Sequence, residues 1–156
     1  MTYFLLKFLH IVGAVVLLGT GTGIAFFMLM AHKSRDAAFI ARTAGVVVLA
    51  DMIFTASAVI AQPISGYFLT REIGLPLGTS WIVASLVLYA MAGVFWLPVV
   101  WMQAKMRDLA RQAVADNAAL PPAYFRLFRW WFVFGFPGFG SVAAILWLMV
   151  AKPILW

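Results

Sequence analysis

This sequence predicts an all-α fold, a four-helix bundle integral to a membrane with both termini on the outer (periplasmic) side, and three observations carry that expectation. Four apolar stretches each exceed the ~20 residues that cross ~30 Å of hydrocarbon as a helix. Of the 156 residues, 65% are hydrophobic and only 10% charged, which is more apolar surface than a soluble domain of this size can hide. Eight of the eleven Lys and Arg side chains fall in or beside two connections, and that excess marks those connections as cytoplasmic. A single domain, 1–156, multipass in a bacterial inner membrane, is the expected organisation.

The elements follow in order. Helix one is expected at about 3–30; its apolar run is far longer than the ~7–15 residues of a signal-peptide core, so it reads as a retained span. No lipidation motif accompanies it. Lys33, Arg35 and Arg42 mark the first cytoplasmic connection, and helix two follows at about 38–69. Helix three, about 80–102, continues as a cytoplasmic helical extension, about 103–120, until Leu120-Pro121-Pro122 stops it. That extension, carrying Lys105, Arg107, Asp108, Arg111 and Asp116, reads either as a solvated helix at headgroup level or as a docking surface. Helix four is expected at about 125–156. None of the four shows the alternation of a barrel strand, and in hydrocarbon a helix satisfies its own backbone.

Composition also excludes. The formal net charge of +6 sits beside apolar spans, so the expected partner is a bilayer with anionic headgroups and not nucleic acid. With no Cys, disulfides, thiolate metal sites and iron–sulfur clusters are ruled out. The chain has no P-loop, no HExxH and no Ser/His/Asp arrangement, which argues against ATP-driven or hydrolytic chemistry.

Two polar positions stand out inside the spans. Levelling the helices on their flanking charges puts midpoints near Thr20, Ala56 or Ser57, Met91 and Gly140. His10 then lies roughly 15 Å outward of centre, with Tyr67, Ser80 and Trp81 as depth-mates and Gln62 somewhat deeper. Asp51 lies about 8 Å inward, level with Trp96 and Gly135 and about a turn from Thr22. The two groups are therefore not expected to pair.

An intramembrane ionisable group is a functional-site hypothesis by default. Asp51 reads as a proton-relay or ligand-binding carboxylate, or as an interhelical hydrogen bond with Thr22, Trp96 or the Val133 carbonyl that Pro137 leaves without its helical donor. His10, one turn from Lys7, reads as a haem-iron ligand or proton carrier, or as a neutral histidine bonded to Gln62, Ser80 or a backbone carbonyl. The other histidine, His32, is too far along the helix to share a haem with it and reads as interfacial. A His/Met pair with Met149 stays open. Gly13, Gly19 and Gly23 line helix one, with Gly19 and Gly23 forming a GxxxG ridge. The ridge fits close helix packing or room for a flat ligand. Gly135, Gly138 and Gly140 surround Pro137 on helix four, where a kink is expected.

The segments YFLLKFLHIVGAVVLLGTGTGIAFFM, LADMIFTASAVIAQPISGYFL, GVFWLPVVWMQAKMR and FPGFGSVAAILWLMVAKP resemble a family of bacterial predicted integral membrane proteins that is known as a domain of unknown function. The resemblance covers nearly the whole chain, assigns Asp51, Gln62, Pro63 and Gly66 to the family's motif on helix two, and implies no activity. More distantly, Lys7-x-x-His10, the Gly-rich centre of helix one, Tyr124-Phe125-Arg126 and Val150-Ala151-Lys152-Pro153 are similar to HemJ-type protoporphyrinogen oxidases and CopD-type membrane domains. That similarity implies haem b on His10 and nothing more. The further histidines of HemJ-type proteins are missing here, where Gly78-Thr79-Ser80-Trp81 and Val100-Trp101-Met102-Gln103 stand, so the oxidase activity does not carry over.

Three functions remain open on this sequence. One is a membrane redox or tetrapyrrole-binding protein using His10. Another is a non-catalytic subunit or assembly factor of a membrane complex, docking through the ridge or the basic helix. The third is a small proton-coupled permease using Asp51, which with four helices per chain implies a homo-oligomer.

Overall fold

The computed structural model describes Met1–Trp156 throughout and has no strand. Its four long helices are α1 (Thr2–Ser34), α2 (Ala37–Glu72), α3 (Ser80–Ala115) and α4 (Pro122–Ala151), each long and apolar enough to cross a bilayer. They run up and down, so the α1–α2 and α3–α4 connections share one end of the bundle. We call it the basic end. The other, terminal end holds the α2–α3 loop and both chain termini.

Local chemistry sets each boundary. Arg35 adopts left-handed φ of 57° and closes α1, its N–H reaching the His32 carbonyl at 3.3 Å. Asp36 then caps α2, its carboxylate accepting from the Ala38 and Phe39 N–H groups at 2.8 and 3.3 Å. Two residues therefore suffice to reverse the chain.

α3 runs unbroken from Ser80 and stops at Ala115, five residues before the expected 120. Asn117, at φ 49°, ends it, with the Ala118 N–H bonded back to the Ala113 carbonyl at 2.9 Å. Pro122 opens α4 three residues earlier than expected, at a first-turn position where its missing N–H costs nothing. The other end of α4 is also corrected, to Ala151 from 156. Lys152 turns left-handed (φ 46°), its N–H caps the Leu148 carbonyl, and Pro153 cannot continue the helix. The tail folds back, and the Leu155 N–H donates to Ser80 Oγ at 3.1 Å.

One feature has no marker in the sequence. Asp51–Thr55 forms a π-helical turn within α2, with the Ala56 N–H bonded to the Asp51 carbonyl. Single π turns of this kind collect at functional sites. This one also marks a change of partner. Before it, α2 packs on α3 and α1; after it, α2 packs on α1 and has left α3. Across the opened interval the Tyr89 hydroxyl still donates to the Val59 carbonyl.

The packed core accordingly sits toward the basic end. Ile24, Met28 and Ala31 of α1 meet Ile40, Ala44 and Val47 of α2, Met102, Met106 and Ala110 of α3, and Tyr124, Phe128 and Trp131 of α4. Each helix contributes at i, i+3 or i+4 spacing, the stripe that one helix face presents. α3 and α4 make the most extensive pairing. Toward the terminal end the apolar side chains are mostly exposed, among them Phe4, Phe8, Val15, Ile60 and Phe68. In a bilayer such faces lie against acyl chains and need no protein cover.

Candidate functional site

Asp51 is buried at the first residue of the π turn. Its main partner is Gln103 of α3. With the Gln103 amide oriented to satisfy both neighbours, Nε2 donates to Asp51 Oδ2 at 2.6 Å and Oε1 accepts from Trp131 Nε1 of α4 at 3.1 Å. The Thr55 hydroxyl and the Trp96 indole N–H stand beside the same carboxylate, buried, with no hydrogen bond of ordinary geometry. One acceptor group thus faces three donors from two helices, with a fourth donor, on a third helix, one step behind.

Expectation and structure differ here in three respects. Trp96 does sit at Asp51, as expected. Thr22 does not: it is exposed, and its hydroxyl is spent on the Leu18 carbonyl at 2.7 Å. Val133 is exposed as well, and its carbonyl is not among the groups at the acid, which are Gln103, Thr55 and Trp96. Gln103, which the sequence places in the cytoplasmic extension, lies at 1% exposure inside the bundle. The physical reason is that the packed core continues past the level of Lys105 and Arg107, through Met106 and Ala110 to the end of α3.

From Gln103 a line of contacts runs to the basic end. Trp131 packs on Phe128 (ring centroids 5.5 Å apart), and Phe128 stacks face to face on His32 at 3.6 Å and 5°. The His32 Nδ1 lies 3.3 Å from the Tyr124 hydroxyl. His32 is thus packed into the bundle through α4.

The second site joins α1 to the terminal half of α2. Gln62 Nε2 donates to the His10 carbonyl at 2.8 Å, and His10 Nδ1 lies 2.8 Å from Ser65 Oγ. The Ser65 hydroxyl is also 2.7 Å from the Ala61 carbonyl, an acceptor only. Its one proton goes there, so Ser65 accepts from an Nδ1–H and the imidazole lone pair is left on Nε2. Gly66 makes room for the ring, since a Cβ there would stand 3.3 Å from His10 Cε1. Gly13 makes room for Gln62 in the same way, and any Cβ at 13 would overlap the Gln62 amide nitrogen.

The site expected around His10 therefore separates into parts. His10, Gly13 and Gln62 come together. Lys7 turns instead to Tyr3, its ammonium 5.7 Å from the ring centre. Ser80 serves the C-terminal tail and not His10. Gly19 is nine residues from His10, about half a turn round the helix on the opposite face. Gly19 is exposed, and a Cβ there would meet no atom within 4 Å, while one at Gly23 would meet only Phe27 of its own helix. The ridge accordingly packs against no other helix of this chain and does not share the His10 face. Ser65 was missed, although its three-residue spacing from Gln62 puts both on one face of α2. Side chains of His, Asp and Glu nowhere gather in threes.

A family model described as "Predicted integral membrane protein (DUF2269)" matches residues 4–153, nearly the whole chain. No curated protein and no solved structure matches it.

Proposed function

We propose that this chain, which belongs to the DUF2269 family of predicted integral membrane proteins, is a small haem-b-binding membrane protein in which His10 offers Nε2 to the iron. The observation that carries this reading is the Ser65 contact. It holds the proton on Nδ1 and leaves Nε2 with a lone pair and no hydrogen bond within the chain. A histidine metal ligand characteristically has its second nitrogen engaged in this way. The departure of α2 from α3 beyond the π turn supplies an opening in the same half of the bundle.

Ser65 and Gly66 fix the ring from two sides, Gln62, seated over Gly13, ties the His10 backbone to α2, and Gly19 and Gly23 lie on another face of α1. Bound haem would supply one-electron chemistry or tetrapyrrole handling. The chain's own contribution is to hold one imidazole in one tautomer at a fixed height. In the cell we read the basic end as cytoplasmic and both termini as periplasmic, following the distribution of Lys and Arg.

The test is an absorption spectrum of detergent-purified protein from haem-supplemented expression. A Soret band is expected in the wild type and in Asp51→Asn. It should be lost in His10→Ala and weakened in Ser65→Ala, where the tautomer is no longer held. A wild type without a Soret band overturns the reading.

A second reading is favoured by the π turn and the donors that converge on Asp51. It is a proton-coupled carrier, homo-oligomeric, in which Asp51 takes up and releases the proton. Proton flux into liposomes should then fall severalfold in Asp51→Asn; unchanged flux overturns it.

A further inference from the structure

At the basic end α2 and α3 lie side by side, and a cleft of about 500 Å³ opens between them. Its walls are Ala38, Ala41 and Arg42 of α2 and Arg111 and Val114 of α3. The apolar residues offer no side-chain acceptor. The two arginines bring opposed helices' guanidiniums to one space. Arg42 spends its Nε on the Ala38 carbonyl of its own helix at 3.2 Å, which leaves both terminal nitrogens free. Arg111 crosses to α2, where its Nη2 lies 3.5 Å from the position a Cβ would take on Gly45. That guanidinium therefore lies against α2 one turn beyond Arg42.

Neither guanidinium has a carboxylate partner. The one ion pair in the protein joins Arg107 to its neighbour Asp108, at 2.8 Å. Asp36 is occupied in capping α2. Two like charges face one cleft, and Asp108, one turn from Arg111, is already bonded to Arg107, so an anion from outside is called for. The arginine fork is matched by the oxygens of a phosphate.

Below Arg42, on the same face of α2, Val46 and Leu49 follow at i+4 and i+7, and both are well exposed. This face passes from a guanidinium to acyl-chain surface within two turns. We propose that the Arg42–Arg111 cleft binds a phosphate ester carried on an apolar anchor, and that its occupant is the headgroup of an anionic phospholipid. The site is independent of His10 and of the haem reading.

The experiment is native mass spectrometry of the full chain released from mild detergent, titrated with phosphatidylglycerol, with phosphatidylcholine and with inorganic phosphate. Phosphatidylglycerol should be retained, and Arg42→Gln/Arg111→Gln should weaken its apparent Kd on the order of tenfold or more, as loss of two charge-assisted contacts implies. Arg126→Gln/Arg129→Gln removes the same charge from exposed positions of α4 and should leave retention as in wild type. Arg42→Lys/Arg111→Lys keeps charge, loses the fork and should fall between; it also serves if the Gln pair does not fold. Equal losses in the two Gln pairs, or equal retention of phosphatidylcholine, would overturn the site. Displacement of the lipid by millimolar phosphate would overturn the lipid assignment in favour of a free phosphate.

Discussion

Gln103→Leu is expected to be among the most destabilising single substitutions in this protein, costing about 2–4 kcal/mol. Leucine fills a similar volume, so the loss is not one of packing. It strips a carboxylate oxygen of Asp51 and the indole N–H of Trp131 of their partners at once, in a part of the bundle where no water replaces them. Each orphaned buried group costs roughly 1–3 kcal/mol. Interhelical hydrogen bonds in membranes average nearer ~0.6 kcal/mol, because the unfolded chain in lipid also finds partners, which pulls the expectation below the simple sum of those penalties. A carboxylate is the group least able to find such a substitute.

The distinguishing measurement is a double-mutant cycle followed by thermal or SDS-driven unfolding in detergent. Asp51→Leu leaves the Gln103 amide nitrogen without its acceptor, and the double variant Asp51→Leu/Gln103→Leu removes both halves of the contact. The double variant should therefore be destabilised by clearly less than the sum of the singles. Simple additivity would mean that the two side chains do not act on each other, and that the role given to Gln103 is wrong.

The helices themselves were legible, because a run of twenty apolar residues has one outcome in lipid. Their ends were read only to within a few residues: Asp36 caps helix two, Pro122 opens helix four and Pro153 follows its end, where the apolar runs alone suggested 38, 125 and 156. Depth was not. A ruler set on flanking charges assumes that a span ends where Lys and Arg begin. α2 and α3, at 36 residues each, are about 54 Å long, well beyond ~30 Å of hydrocarbon, and remain packed on one another past that level. Gln103 was thus counted with the solvated extension, although Met106, Ala110 and Ala113 continue its side of α3 at helical spacing.

Facing was lost for a different reason. DMIFT contains no Pro, Gly or cap that announces a π turn, yet the turn adds a residue and rotates all that follows it on α2. No helical wheel drawn from the sequence could therefore set Gln62 and Ser65 against α1 while Asp51 faces α3. The His10–Gln62 neighbourhood was legible in kind, as a polar tether between helices one and two. Its atoms were not: Gln62 binds the backbone carbonyl of residue 10, and the imidazole goes to Ser65.

Two glycines of α1 should respond in opposite ways to the same replacement, and the contrast tests how α1 is held. At Gly13 a leucine has no place to go. Its Cβ would occupy the position of the Gln62 amide, which must swing out and abandon the His10 carbonyl, worth about 0.5–1.5 kcal/mol in itself. The rest of the side chain then wedges between α1 and the terminal half of α2, an overpacking that costs about 1–3 kcal/mol. Gly13→Leu is accordingly expected to lose about 2–4 kcal/mol and to disturb the His10–Ser65 contact three residues away. Gly13→Ala should lose less, since only the flexible end of Gln62 has to move.

At Gly19 the same leucine would enter open space on the exposed face. It removes the helix penalty of glycine, about 0.8–1.0 kcal/mol relative to alanine, and should leave stability unchanged or raise it slightly. Melting temperatures of the two variants in one detergent give the comparison directly. A Gly13→Leu protein as stable as wild type would remove the tether from the account of α1. A large loss at Gly19 would show that this face is covered in the assembled protein, by a second copy or another membrane chain seated on the ridge that α1 leaves bare.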